Sequence, residues 1–298
     1  MLIFNATVLN KEYKSIVGIV TCNSSTYIQE CIMFNYLIGF DKIVVVLDRC
    51  DDDTWDKIQK LPDEVLERVD AFHNSPHSLD AGFQHRAYQH IYDKYIGKAE
   101  WMAMFDDDEY LYDSQKRKIN DMLDTVADDV GQINVPWIKF THSKQILPAT
   151  PDVTRLRHFT HCDHSSPVIE KKVIARLDFI KTTQRPNICG GWNHCHWVDA
   201  SGRIVTFDGK NSPQGLVYPS CMRINSPEET NTCLAHYIHC SMEDYVRKYR
   251  KWVREKNSAK AKMEWGWNQF ISEESRSTID TRMDIYTEEL IELLKKCK

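Results

Sequence analysis

Three apolar runs, each parted from the next by helix-length segments, constrain this chain more than anything else in it. "KSIVGIVT" (14–21), "DKIVVVL" (41–47) and "EWMAMF" (100–105) are continuous rather than alternating. A strand buried on both faces has this pattern, and such strands belong mainly to parallel sheets. The first run predicts a strand over 15–22. "TYIQECIMFNYLIGF" then places Ile28, Cys31, Ile32 and Asn35 at helical spacing, with Gly39 as its stop. "WDKIQKL" predicts a short helix capped by Asp53 or Thr54, "LERVDAF" a third strand, and "LDAGFQHRAYQHIYDKYIG" a helix closed by Gly97. Strand and helix in alternation predict a doubly wound α/β sheet, with ligands at the carboxyl ends of its strands.

The fourth strand runs straight into Asp106, Asp107, Asp108 and Glu109. Buried carboxylates need cations, hydrogen bonds or water. A solvated turn meets that need, and so does a divalent-metal site. In extended chain Asp106 and Asp108 project to one side and Asp107 to the other. Such a pair suits Mg²⁺ or Mn²⁺, hard cations that take oxygen ligands and share substrate phosphates. An EF-hand loop is excluded by Leu111 where its sharp turn needs glycine.

After about residue 115 the pattern loosens. "GQINVPWIKF", "SPVIEKKVIARL" and "HWVDASGRIVTF" predict strands between long loops that hold most of the histidines. From Ser241 the chain turns helical, and "SMED" matches a capping box between Ser241 and Asp244. These features predict a catalytic domain over 1–240 and a helical extension over 241–298 packed on it. Trp252, Trp265 and Trp267 in the extension suit core positions better than a sugar-stacking platform. The net charge of −5 gives no sign of a nucleic-acid groove, and "KYRKWVREK" suits a solvated helix face. No apolar run reaches the length of a membrane span, and the first residues lack a signal-peptide pattern, so the expectation is a cytoplasmic protein. Ten scattered cysteines without a C-x-x-C pair predict free thiols. The sequence leaves the oligomeric state open.

Several blocks occur in an order that is similar to one enzyme group. "IVTCNSSTYIQECIMFNYLIGFDKIVVVLDRCDDDT", "AGFQHRAYQHIY", "WMAMFDDDEYLY", "KKVIARL", "HCHWVDASG" and "AHYIHCSMEDYVRKYRKW" follow one another across roughly 15–255. Together they resemble a nucleotide-sugar glycosyltransferase of the GT-A fold, in the family-2-like branch that includes family 92 (DUF23). Cys240 stands where that branch usually has lysine, and Asn23-Ser24 where it has Asn-Glu. The resemblance implies a mixed central sheet with helices on both faces. It implies that Asp106 and Asp108 bind a metal–diphosphate, Mn²⁺ or Mg²⁺, with Asp106 also within reach of a ribose. Thr21 and Asp48 would hold the nucleoside, and Gln84 and Arg86 would pass the nucleotide. His196 or His236 would complete the metal shell or touch the diphosphate or acceptor.

The implied reaction moves a sugar from a nucleoside-diphosphate donor, UDP-linked by default and GDP-linked otherwise, to a glycan hydroxyl. Inversion needs a base on the acceptor. Asp163 is preferred over Glu170 and Asp199, because it falls in a polar loop beside a strand. Two other classes fit parts of the sequence. The Cys/His-rich stretches "HFTHCDH" and "CGGWNHCHW" suit a zinc-binding interaction module, although no finger spacing fits. Clustered acids also suit a metal-dependent phosphohydrolase.

Overall fold

A computed structural model describes residues 11–74, 83–128, 130–163, 171–180, 182–185, 188–190, 196–199, 231–255, 267–268, 270–272 and 274–297, with backbone alone at 83–85, 179, 182–199 and 249–255. The described strands are β1 (Tyr13–Thr21), β2 (Lys42–Leu47), β3 (Val69–His73), β4 (Ala99–Asp106), β5 (Glu109–Asp113), β6 (Val130–Phe140), β7 (His161–Asp163), β8 (Lys171–Arg176), β9 (Thr182–Arg185), β10 (Ile188–Gly190), β11 (His196–Asp199), β12 (Thr232–His236) and β13 (Thr278–Ile279). The described helices are α1 (Ile28–Leu37), α2 (Thr54–Gln59), α3 (Asp63–Leu66), α4 (Phe83–Tyr95), α5 (Ile119–Asp124), α6 (Thr154–His158), α7 (Met242–Glu255) and α8 (Thr287–Leu294).

The main sheet runs β13-β7-β6-β8-β4-β1-β2-β3. β1 pairs in parallel with β2 and β4, and β2 with β3. β8 lies antiparallel between β4 and β6. The class is therefore α/β with a mixed sheet and helices on both faces, as expected. Continuous apolar runs allow this because each strand feeds two cores. Val17 and Ile19 of β1 face the layer of α1, while Ile16 and Val20 face α4 through Ala87, Tyr88 and Ile91. Gly39 and Gly97 close α1 and α4 at φ +94° and +80°, backbone that glycine adopts without strain.

Two local expectations change. Neither Asp53 nor Thr54 caps α2 through its side chain; Asp52 does the work, accepting from the Thr54 N–H at 3.1 Å and the Thr54 hydroxyl at 2.5 Å. Helix α1 is buried on more sides than its spacing predicted, including at Glu30. The cause is α8, whose Leu290 and Leu294 join the same core as Phe34. The capping box forms as expected: the Ser241 hydroxyl accepts the Asp244 N–H at 3.1 Å, and the Asp244 carboxylate accepts the Ser241 N–H at 3.2 Å.

The C-terminal extension is more than helical. β13 joins the edge of the main sheet against β7, and the Tyr286 hydroxyl meets both the N–H and the carbonyl of Asp113 at 3.1 Å. Trp267 is half-exposed, stacked near Phe270. The side chains of Trp252 and Trp265 lie outside the described residues. The seven described cysteines, from Cys22 to Cys297, form no disulfide. Among the described residues no helix is long and apolar enough to cross a membrane.

Candidate active site

β1 sits where the strand order turns: β2 and β3 lie on one side of it and β4 on the other. Open α/β sheets bind ligands outside the carboxyl ends of the strands at such a point. A cleft of about 380 Å³ opens there. It is lined by Thr21 and the loop after it, by Asp106, Asp107 and Asp108, by Arg155, and by residues between His236 and Lys248.

The acids are exposed to this cleft because the chain turns away from the neighbours of β4. β4 ends at Asp106, 107–108 form a turn, and β5 pairs with β12 instead of with β4. The Glu109 carboxylate tightens the turn by accepting the Asp106 N–H at 2.8 Å. Strand alternation therefore stops at Asp106, and the three aspartates diverge to different partners. Asp106 pairs with Lys172 of β8 at 2.8 Å. Asp107 turns toward β1 and accepts the Thr21 hydroxyl at 2.6 Å. Asp108 lies 3.4 Å from His236 Nε2 and 3.4 Å from Lys248 Nζ. The expectation that Asp107 points away from its neighbours' site does not hold, because all three line the cleft.

β12 delivers His236. In its register with β5, His236 stands opposite Glu109, and the next N–H, of Tyr237, bonds the Asp108 carbonyl at 2.8 Å. His236 is buried beside the Trp137 ring at 4.4 Å, and its Nδ1 has no hydrogen-bond partner among the described residues.

Burial and charge pull these groups apart. Burial pushes the Asp108 carboxyl up, but Lys248 and then His236 outweigh it and hold it well below the usual carboxylate range. Burial, then the Asp108 charge, raise Asp107. Burial lifts Glu109 to about 8 although Lys172 opposes it. Burial lowers the His236 imidazolium, and the Asp108 charge more than restores it. Lys172 is raised likewise, burial being outweighed by Asp106 and Glu109.

The remaining predicted residues divide. Thr21 lines the cleft. Asp48 follows β2 and its N–H bonds the Thr21 carbonyl at 2.8 Å, but its carboxylate is held by Arg49 at 2.7 Å and Asn74 at 3.1 Å and does not line the cleft. Arg86 is exposed on α4, away from the cleft lining. The side chains of Gln84 and His196 lie outside the described residues. Asp163 pairs with Arg276 at 3.0 Å and is not part of the lining.

Sequence reasoning assigned no role to Lys172, Lys248, Glu30 or Arg155. Lys172 had a signal: two adjacent lysines in a predicted strand face opposite sides, and in a sheet covered on both faces both are buried. Arg155 had none, since it reaches the cleft from the short helix α6 between β6 and β7.

The cleft's fit to a divalent cation follows from its donors. Among the described residues no three His, Cys, Asp or Glu side chains converge into a metal-holding group. Two do come together: Asp108 Oδ1 and His236 Nε2 are 3.4 Å apart. Two ligands about 2.1 Å from one cation, at roughly a right angle, sit about 3 Å apart, so the pair fits one coordination edge. The other positions would fall to phosphate oxygens and water, the usual shell of a phosphate-bound hard cation.

No family model matches the chain, and no curated protein does. The resemblance to the family-92 branch therefore rests on the ordered sequence blocks alone. Among solved structures, the chain is similar over 56% of its length to a protein described only as mycobacterial, at 12% identity, 55% of that chain and a TM-score of 0.34. It is similar over 56% of its length to glucosyl-3-phosphoglycerate synthase from Mycobacterium tuberculosis in complex with phosphoglyceric acid, at 13% identity, 58% of that chain and a TM-score of 0.32. The chain spans little more than half the length of either.

Proposed function

We infer that this chain is a glycosyltransferase that transfers a sugar from a nucleoside-diphosphate donor, UDP-linked by default, to a glycan hydroxyl. The observation that carries the reading is the joining of the carboxyl ends of β1 and β4 at the switch point, where Thr21 meets Asp107 and Asp108 stands beside His236. The ordered blocks of sequence agree with it.

Asp108 and His236 would hold Mn²⁺ or Mg²⁺ against the diphosphate. That cation supplies charge neutralisation as the sugar–phosphate bond breaks. The chain's own cations add to it. Lys248 reaches Asp108 from α7 and lines the same cleft as Cys240, so an ammonium arrives from the helix where the branch usually has a lysine before the serine. Lys172 pairs with Asp106 and fixes it at the strand end. Such pre-set charges need no reorganisation during transfer. Inversion with Asp163 as base requires Arg276 to release that carboxylate.

Nothing in the geometry of the described residues favours the rival readings. Of the two stretches on which a zinc module rests, "CGGWNHCHW" falls largely outside the described residues and "HFTHCDH" joins no metal-holding group of three among them, nor do the cleft's acids form the cluster a two-metal hydrolase needs. The deciding experiment is a thermal-shift panel with UDP, UDP-sugars, GDP-sugars and inorganic phosphate, each with Mn²⁺ and with EDTA. The reading expects a rise with one nucleotide only when Mn²⁺ is present. A response to phosphate alone, or none to any nucleotide, would sink it.

A further inference from the structure

We propose that Arg155 binds an oxyanion of the substrate at the floor of the cleft. The proposal deepens the glycosyltransferase reading by adding a substrate contact, and it rests on this cleft being the substrate site.

Arg155 is among the largest fully buried side chains of the protein, yet it lines the cleft beside Asp107 and Asp108. Burying a guanidinium is costly unless its donors are satisfied. Here Nε–H has no hydrogen-bond partner among the described residues. The closest carboxylate atom to it is Glu30 Oε1, at 3.8 Å, an ion pair too long for a hydrogen bond. Glu30 cannot turn to serve it without loss. One of its oxygens accepts the Tyr110 hydroxyl at 3.0 Å and the other accepts the backbone N–H of Arg155 at 3.0 Å.

The guanidinium is instead held by ring faces. It lies 3.9 Å from the Tyr27 ring centroid and 5.4 Å from that of Tyr110. These contacts fix the plane of the group, and the side chain lines the cleft from that position. The Tyr27 ring is itself fixed, its hydroxyl donating to Asp244 at 2.7 Å and accepting the Ala149 N–H at 3.1 Å.

The backbone also carries strain at this point. Thr154, a fully buried β-branched residue, has φ +61°, and its hydroxyl has no partner among the described residues. That conformation is a genuine outlier for threonine. Strain of this kind persists where the surroundings hold a functional side chain in place. Here it sets the start of α6 and the direction of the next residue, Arg155.

A planar fork of N–H donors matches a phosphate or carboxylate in two-point contact, and matches a lone hydroxyl poorly. The oxyanion has two sources in the proposed reaction: the donor's diphosphate, or an acid group carried by a sugar. The test separates them. The full chain is labelled with ¹⁵N at arginine, and the Arg155 Nε–H signal is assigned through its contact with the Tyr27 ring and its absence in Arg155→Lys. Magnesium pyrophosphate and sodium D-glucuronate are then titrated separately.

The proposal expects this signal to move with at least one probe, and that probe to bind Arg155→Gln at least about tenfold more weakly than wild type. Movement with pyrophosphate assigns the diphosphate, and movement with glucuronate assigns an acid-bearing sugar. A signal unmoved by both overturns the proposal and makes Arg155 a purely structural group. If the variants do not fold, the wild-type titration still decides. A moved Arg155 signal in a protein that shows no Mn²⁺-dependent UDP binding would overturn the nucleotide reading while leaving the oxyanion site standing.

Discussion

Asp108 Oδ1 and His236 Nε2 lie 3.4 Å apart, at the meeting of the β4–β5 turn and the end of β12. Neither strand brings them together alone. β5 pairs not with β4 but with β12, which itself joins β6, and the ladder between β5 and β12 sets His236 opposite Glu109.

Metal dependence should follow this pair. Asp108→Asn and His236→Ala should each weaken Mn²⁺-dependent UDP binding at least about tenfold, because each removes one of the two protein ligands proposed for the cation. Mn²⁺ without nucleotide should bind weakly to wild type, since phosphate supplies the missing positions. Calorimetry of UDP with Mn²⁺ and then with EDTA checks both points. Equal affinity with and without metal would show that Asp108 serves only its ion pairs.

Asp107 should matter least of the three aspartates. Burial and its charged neighbour favour its neutral form, and Asp107→Asn keeps that shape and still accepts from Thr21. Thr21→Val removes this donor and leaves Asp107 with the Ser24 contact alone, at a cost of about 1 kcal/mol. Urea denaturation reads the second effect, and donor-hydrolysis rate reads the first. An inactive but folded Asp107→Asn would place a direct ligand role on Asp107 instead.

Lys171 should give the stability a specific pH slope. Burial lowers its ammonium from 10.5 to about 7, beside Asn134 at 3.0 Å. Between those values the unfolded chain binds more protons, so this group's contribution is full above 10.5 and is lost as pH falls toward 7. Wild type should therefore gain on Lys171→Met between pH 7 and pH 9, by up to about 1.4 kcal/mol per pH unit. Denaturant midpoints of the two proteins at both pH values test this. Parallel behaviour would mean that Lys171 keeps its ordinary charge.

The C-terminal extension packs its α8 residues into the core. Leu290→Ala, at a fully buried position, should cost about 2–5 kcal/mol. Tyr286→Phe should cost about 1–2 kcal/mol through its two lost contacts with Asp113. Thermal melts rank the two variants. A soluble protein ending before residue 280, with an unchanged melting point, would contradict the packing of α8 on α1.

Local pattern alone settled the strands β1 to β4 and the helices α1 and α4, because burial on one face or two writes a period into the chain. It settled the Ser241–Asp244 cap and the stops at Gly39 and Gly97 for the same reason: each depends on residues within a few positions of one another. It also placed the acids at a strand end, since charge ending an apolar run has little other meaning. The pairings of those acids were decided elsewhere. Which aspartate meets Lys172, which meets Thr21 and which meets His236 depends on a turn that breaks strand alternation and on a ladder between β5 and β12. The burial of Glu30 and Arg155 depends on α8 closing over α1 and on the short helix α6 reaching back beneath the cleft. Such contacts join residues far apart in the chain, and their energies come from desolvation and charge in a shared space. No spacing in a sequence records that space; only the packed fold creates it.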